Sequence, residues 1–365
     1  MKLVLHIGMP KTGTSTLQQA LSAQHPVLHE AGILYPIAPG TTTDHNALSC
    51  LLLPPERVQR EFRSPGRWSP ESLLALGNEF WNDIQQQVSR SRATTTVLSS
   101  EYLYQYRDED VQALGALLRP VFDEIEVVAY VRHPAEYYLS MQQQKVKASY
   151  AIRAPGDFRA RYAICLGRYV QEFDGRVSVR AFEREALDGG SIVQDFASHF
   201  LPEFAGASSQ LEIGEVNTSM SAEAMCIVQS LRRHAWPDQN DAFTSECQYI
   251  VSVLNDIRDE TSQSAPRLQP AIDAGLTRRH RAQLNWLRTQ FGVEFHHVAD
   301  ESAHRADDPV WTSTDLLDIL DVDRVSVDQT MVMLLKELAA RAMPAARSAP
   351  EPGLSSPCQT AKEGK

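Results

Sequence analysis

The chain has 365 residues, 43% apolar and 22% charged, enough for a sizeable core and close to the globular average. Its net charge of −11 argues against general nucleic-acid binding, and no stretch approaches the roughly 18 apolar residues of a membrane span. The five cysteines (Cys50, Cys165, Cys226, Cys247, Cys358) are scattered with no C-x-x-C, which predicts reduced thiols in a cytoplasmic protein rather than a disulfide framework or a zinc site. The N-terminal apolar run is broken by Gly8 and Pro10, a pattern unlike a signal peptide.

In chain order, Leu3 to Ile7 reads as an apolar strand, Gly8 to Gly13 as a turn, and a helix opens near Thr14. Ser69-Pro70 is a helix start, followed by apolar residues at helical spacing: Leu73, Leu76, Phe80, Ile84 and Val88. Strands are expected over 95–99, 126–131 and 177–181, with a helix carrying Leu114, Leu117 and Leu118 between the first two. Pro134 suits a first helical turn, since its missing N–H costs little there. From about 220 the pattern turns helical, with stripes at Met225, Val228, Leu231 and at Ile250, Leu254, Ile257, and a closing helix over 331–341. Beyond Met343 the composition favours disorder.

Alternating strands and helices predict an α/β fold with an open, mainly parallel sheet flanked by helices, a three-layer sandwich. Residues 1–220 would form the core, 221–343 a helical part packed on it, and 344–365 a tail. In such sheets ligands sit at the carboxyl ends of the strands, where Gly8–Thr16, Ser99–Glu101 and Arg132 all fall.

The strand–turn–helix unit at the N-terminus is built to hold an oxyanion. Backbone N–H groups converge at a helix N-terminus, Lys11 adds a positive charge, and Thr12, Thr14, Ser15 and Thr16 add hydroxyls. The nucleotide-triphosphatase loop reads G-x-x-x-x-G-K-[ST]. Here Gly8, Gly13 and Ser15 fit that spacing, but Thr14 holds the lysine position and the lysine has moved to 11. The arrangement G-x-P-K-T-G-T-[ST] resembles the 5′-phosphosulfate loop of sulfotransferases that use 3′-phosphoadenosine 5′-phosphosulfate (PAPS). Arg132 at a strand end, with Ser140 eight residues on, resembles the element by which that family holds the 3′-phosphate. Residues 177–183 and 192–200 look like a later strand and helix of the family. Val216 to Ser221 is similar to a polar turn of its bacterial members. The resemblance covers about residues 1 to 220.

It implies a P-loop-related fold with PAPS as co-substrate and no metal. Pro10, Lys11, Thr12, Gly13, Thr14, Ser15, Thr16, Arg132 and Ser140 would hold the donor. Lys11 would stabilise charge on the bridging oxygen as it leaves. The acceptor would be a hydroxyl or amine of a carbohydrate or other small molecule.

An acceptor hydroxyl needs a proton acceptor within about 3 Å. Glu101 follows the second expected strand, the topological place of a catalytic histidine in several sulfotransferases. His45, in a loop-rich stretch, has a pKa nearer neutrality and is the alternative base or an acceptor ligand, while His6 and His133 read as packing residues. Residues 35 to 68 are the expected acceptor pocket, with Tyr102, Tyr104, Tyr137 and Tyr138 as stacking surfaces or core. Residues 132–184 hold ten Lys/Arg against five Asp/Glu, a basic zone suited to an anionic ligand. Within it Lys145, Lys147 and Arg153 are placed to reach the donor or acceptor, whereas Arg176, Arg180 and Arg184 read as a solvated face, as does Arg278 to Arg281. Two other functions fit the same loop: a P-loop kinase or nucleotidase, and a non-catalytic nucleotide-binding protein.

Overall fold

The computed structural model describes residues 1–37, 43–63, 68–204, 219–258, 263–300 and 309–342. Five strands, β1 (Lys2–Ile7), β2 (Ile33–Leu34), β3 (Thr95–Ser100), β4 (Glu124–Val131) and β5 (Val177–Ala181), form one sheet in the order β2-β3-β1-β4-β5. All pairings are parallel. β1 and β3 are buried on both faces apart from Lys2 at the start of β1, so their burial is continuous rather than alternating. The four longer strands lie where the sequence pattern puts them. β2 has only two residues, too few to leave a pattern.

Helices cover both faces. One face carries Thr14–Ala23 and Ile192–Phe200, which pack through Leu17, Leu21, Val193 and Phe196 onto Val4, Val97, Val128 and Tyr130. The other carries Pro70–Arg90, Asp108–Leu118, Pro134–Val146 and Tyr162–Glu172, packed on Leu3, Leu5, Leu98, Val127 and Ala129. Pro70–Arg90 starts as expected, with Ser69 and Ser72 forming a reciprocal cap. Its buried stripe passes through Gly77 instead of Leu76, which is exposed. A Cβ at position 77 would lie 2.5 Å from the Leu51 amide nitrogen, so only glycine lets the two segments touch.

The C-terminal part is mostly helical: Ala222–His234, Ser245–Asp256, Pro270–Arg279, Arg281–Phe291 and Arg324–Ala342. Met225, Val228, Leu254, Ile272, Leu287 and Leu334 join the same apolar cluster as Leu3 and Val127. The polar turn 216–221 and the 35–68 stretch lie partly outside the described residues, and the 344–365 tail wholly so. No described helix is long and apolar enough to cross a membrane.

Candidate active site

The order β3-β1-β4 fixes where a ligand can sit. Chain leaving β1 runs towards β2 and β3, and chain leaving β4 runs the other way to β5. A crevice therefore opens at the carboxyl ends of β1 and β4. The β1 turn and Arg132 both stand there.

The turn is anchored from below: the Gly8 amide donates to the Ser100 carbonyl at 3.0 Å. Thr12 is buried and its hydroxyl donates to the Met9 carbonyl at 2.7 Å, so it braces the loop internally instead of facing a ligand. Lys11 (φ 69°) and Gly13 (φ 73°) both adopt left-handed backbone. For Lys11 that conformation costs on the order of 1 kcal/mol, which the packed loop enforces. At Gly13 a Cβ would lie 2.9 Å from Phe182, so glycine is needed for space as well as for φ. The helix Thr14–Ala23 has no side-chain cap, and its first amides remain without intrahelical acceptors. Thr14 Oγ1 is buried with no partner among the described residues, Thr16 is half-buried and Ser15 is exposed.

Arg132 follows β4 directly. Its Nη1 donates to the Lys11 carbonyl at 3.2 Å, its Nε to Glu136 Oε2 at 3.3 Å, and the guanidinium lies over the Phe182 ring at 5.4 Å. Tyr162 fixes the backbone there by donating to the Arg132 carbonyl at 2.6 Å. Residues 121 positions apart thus meet in one cradle. Ser140 lies one turn beyond Glu136 on helix Pro134–Val146, mostly buried. Beside Arg132 opens a cleft of about 920 Å³ lined by Glu136, Phe182, Arg184, Ser219, His296 and His297 among others.

Lys11 is half-buried, and burial first, then the Lys147 and Arg132 charges, lower its pKa, while Glu101 opposes them. Lys147, which caps helix Pro134–Val146, therefore belongs to the same cationic group. Lys145 instead pairs with Asp241, and Arg153 lines a separate cleft. Arg180 is held by buried Asp195 and is no solvated residue, and Arg184 lines the main cleft. Arg279 packs over Trp311 and donates to the Gly156 carbonyl, and buried His280 accepts from the Ala160 amide.

Glu101 stands at the other end of the crevice, one residue past β3. Burial, followed by the nearby carboxylates of Glu61 and Asp44, raises its pKa, and Lys11 pulls it back. Tyr102 bonds Glu61. His45 is placed differently from its expected role. It is buried, its Nδ1 accepts from the Ser99 amide at 3.0 Å, and Nε2–H donates to the Pro36 carbonyl at 3.0 Å. Burial lowers its pKa to about 4. Both ring nitrogens are committed to backbone, which leaves none for an acceptor. His6 and His133 are packing residues: His6 Nδ1 bonds Ser99 Oγ, and His133 accepts from the Ala135 amide. Of the four tyrosines, Tyr104 and Tyr138 are core, while Tyr102 and Tyr137 are half-buried.

Among the described residues, two side-chain groups have ligating atoms close enough for a metal: His133, Asp273 and His297, and Asp188, Asp195 and His199. In the first, the imidazoles are stacked at 4.2 Å and 26°, so their lone pairs lie in nearly parallel, offset planes, a poor arrangement for sharing one ion. In the second, Asp195 is already gripped through both oxygens by Arg180.

Several lining residues were beyond the reach of sequence reasoning. Phe182 and Glu183 stand out in the sequence as an aromatic–acidic pair after a strand. Only the fold shows Phe182 covering Gly13 and Arg132, and buried Glu183 accepting from the amides of His296 (2.6 Å) and His297 (3.3 Å). No protein-family model matches the chain, and no curated protein matches it.

Proposed function

We propose that the chain is a sulfotransferase that moves a sulfuryl group from PAPS to a hydroxyl or amine of a carbohydrate or other small acceptor. The observation that carries this reading is the bond from Arg132 to the Lys11 carbonyl, which joins an anion-binding turn to a guanidinium at the sheet's switch point. A ligand spanning both needs an anion at each end, as a doubly phosphorylated adenosine has. The cradle's own features fit such a ligand: a Thr14 hydroxyl with no partner among the described residues, and glycine where a side chain would strike Phe182.

The donor supplies a sulfuryl group on a leaving phosphate. The amides of residues 12 to 16 would hold that phosphate against the helix N-terminus. Lys11 would stabilise the charge that develops on the bridging oxygen, a task its ammonium can do without moving a proton. Arg132 and Ser140 would hold the 3′-phosphate. Glu101 would take the acceptor proton, its raised pKa bringing it closer to neutral pH than an ordinary carboxylate. The half-buried tyrosine and carboxylates around Glu101 favour an acceptor with several hydroxyls or an amine. The absence of a long apolar helix among the described residues agrees with a non-membrane location, and a cytoplasmic one is part of this proposal.

Calorimetric titration of adenosine 3′,5′-bisphosphate against ATP plus magnesium tests the reading. Metal-independent binding of the bisphosphate, weakened in Arg132→Ala and Ser140→Ala, supports it. Preference for ATP plus magnesium would replace it with a P-loop kinase or nucleotidase. Bisphosphate binding without sulfuryl transfer to any of a panel of hydroxylated and amino acceptors, read by mass spectrometry, would leave a non-catalytic nucleotide-binding protein.

A further inference from the structure

We propose that Glu136 is an internal stand-in for the donor's second phosphate, and that His297 is the seat to which its carboxylate moves when that phosphate arrives. This rests on the sulfotransferase reading. The Glu136 carboxylate lies between groups from distant parts of the chain. Its Oε2 accepts from Arg132 Nε at 3.3 Å, and its Oε1 stands 3.9 Å from His297 Nδ1. To a guanidinium, a carboxylate and a phosphate present the same chemistry, paired oxygens that accept from a planar fork. A phosphate entering from the cleft therefore finds part of Arg132 already occupied by a like charge.

The chain provides somewhere for that charge to go. His297 cannot travel: its Nε2 bonds Asp273 Oδ1 at 2.8 Å, its ring is stacked on His133, and Glu183 holds its amide. The carboxylate, at the end of a flexible stem and about a third exposed, is the mobile partner. The groups facing His297 are Asp273 from one helix, Glu136 and His133 from another, and Glu183 after β5. The Asp273 hydrogen bond, foremost, raises the pKa of His297 and favours its cationic form as a receiving group.

Sulfuryl transfer breaks the bond between sulfur and the bridging oxygen at the 5′ end, so the nucleotide product keeps its other phosphate. An Arg132 with no competitor would hold that product firmly. Glu136 competes for the same donors and promotes release.

The test is calorimetry of adenosine 3′,5′-bisphosphate and 5′-AMP on wild type, Glu136→Gln, Glu136→Ala, His297→Gln and the double variant Glu136→Gln/His297→Gln. Removing the carboxylate is expected to tighten bisphosphate binding about five- to tenfold, as for one screened unit charge a few ångströms away, and to leave 5′-AMP unchanged. His297→Gln should weaken bisphosphate binding severalfold in wild type and have no effect once Glu136 is gone. Unchanged or weaker bisphosphate binding in both Glu136 variants, with 5′-AMP binding retained, overturns the proposal. A wild type that prefers ATP plus magnesium overturns the sulfotransferase reading and this inference together, an outcome distinguishable from the first.

Discussion

At the β1–β4 side of the crevice Lys11, Lys147 and Arg132 gather, and burial, followed by repulsion from the other two cations, lowers the Lys11 pKa. At the β3 side, one residue past the same sheet edge, Glu101 stands among Glu61 and Asp44, and the same two causes raise its pKa. The two walls use one physical device, crowding of like charge in a partly dry site, with opposite signs. Cations at one end suit a leaving phosphate, and a carboxylate at the other suits a departing proton. Lys11 and Glu101 also feel each other, and that attraction partly opposes the shift of each.

The sharpest way to break this comparison is at Glu101. Glu101→Gln should lower kcat by about 10²- to 10⁴-fold, the usual span for a positioned general base, with donor binding retained. A variant with near-normal turnover would strip the acidic wall of its role. Lys11→Ala is expected to cost about 10²- to 10³-fold in kcat. Because position 11 has left-handed backbone, Lys11→Gly should be as inactive yet more stable than Lys11→Ala by about 1 kcal/mol in denaturant melts.

A pH–rate profile sharpens the comparison further. With Glu101 as the proposed base, activity would need it deprotonated, so the acid limb should fall above the ordinary carboxylate pKa, and it should vanish in Glu101→Gln. With Lys11 as the proposed stabilising cation, activity would need it protonated, so the alkaline limb should fall below the ordinary lysine pKa. Limbs at the unperturbed positions would mean that crowding does not tune the site.

His45 supplies the smallest effect and a contrast. Its folded pKa of about 4 is depressed from 6.5, so burial favours the neutral ring. The stability it confers is complete above pH 6.5 and is lost as pH falls towards 4, by an amount on the order of 3 kcal/mol at most. Acid unfolding of wild type against His45→Asn should show that loss diminished in the variant, with the pH–rate profile otherwise unmoved. A displaced acid limb in His45→Asn would restore the histidine as a candidate base.

The sheet and the cradle were largely legible because they rest on local pattern. β1, its turn and the Arg132 turn are contiguous segments whose apolar runs, glycines and charges state their own geometry. Thr12 shows the limit of that legibility: its hydroxyl looks like a ligand donor and is spent on Met9, a choice fixed by loop conformation alone. His45 shows another, since its neutral-range pKa in the free amino acid says nothing of the backbone groups that trap it. His296 and His297 were out of reach altogether. Their place in the cleft depends on Glu183, more than a hundred residues earlier, accepting their amides. Such a meeting leaves no periodicity to read.

The hydrogen bond between Arg132 and the Lys11 carbonyl also makes the cradle a ruler. It ties a side chain just past one strand to the backbone of the turn after its neighbour, so the gap between the two proposed anion seats would be set by sheet spacing rather than by flexible side chains. An isomeric nucleotide with its second phosphate one ribose carbon away would have to stretch that tie to be seated, and the molecule would tell the isomers apart by length as well as by charge.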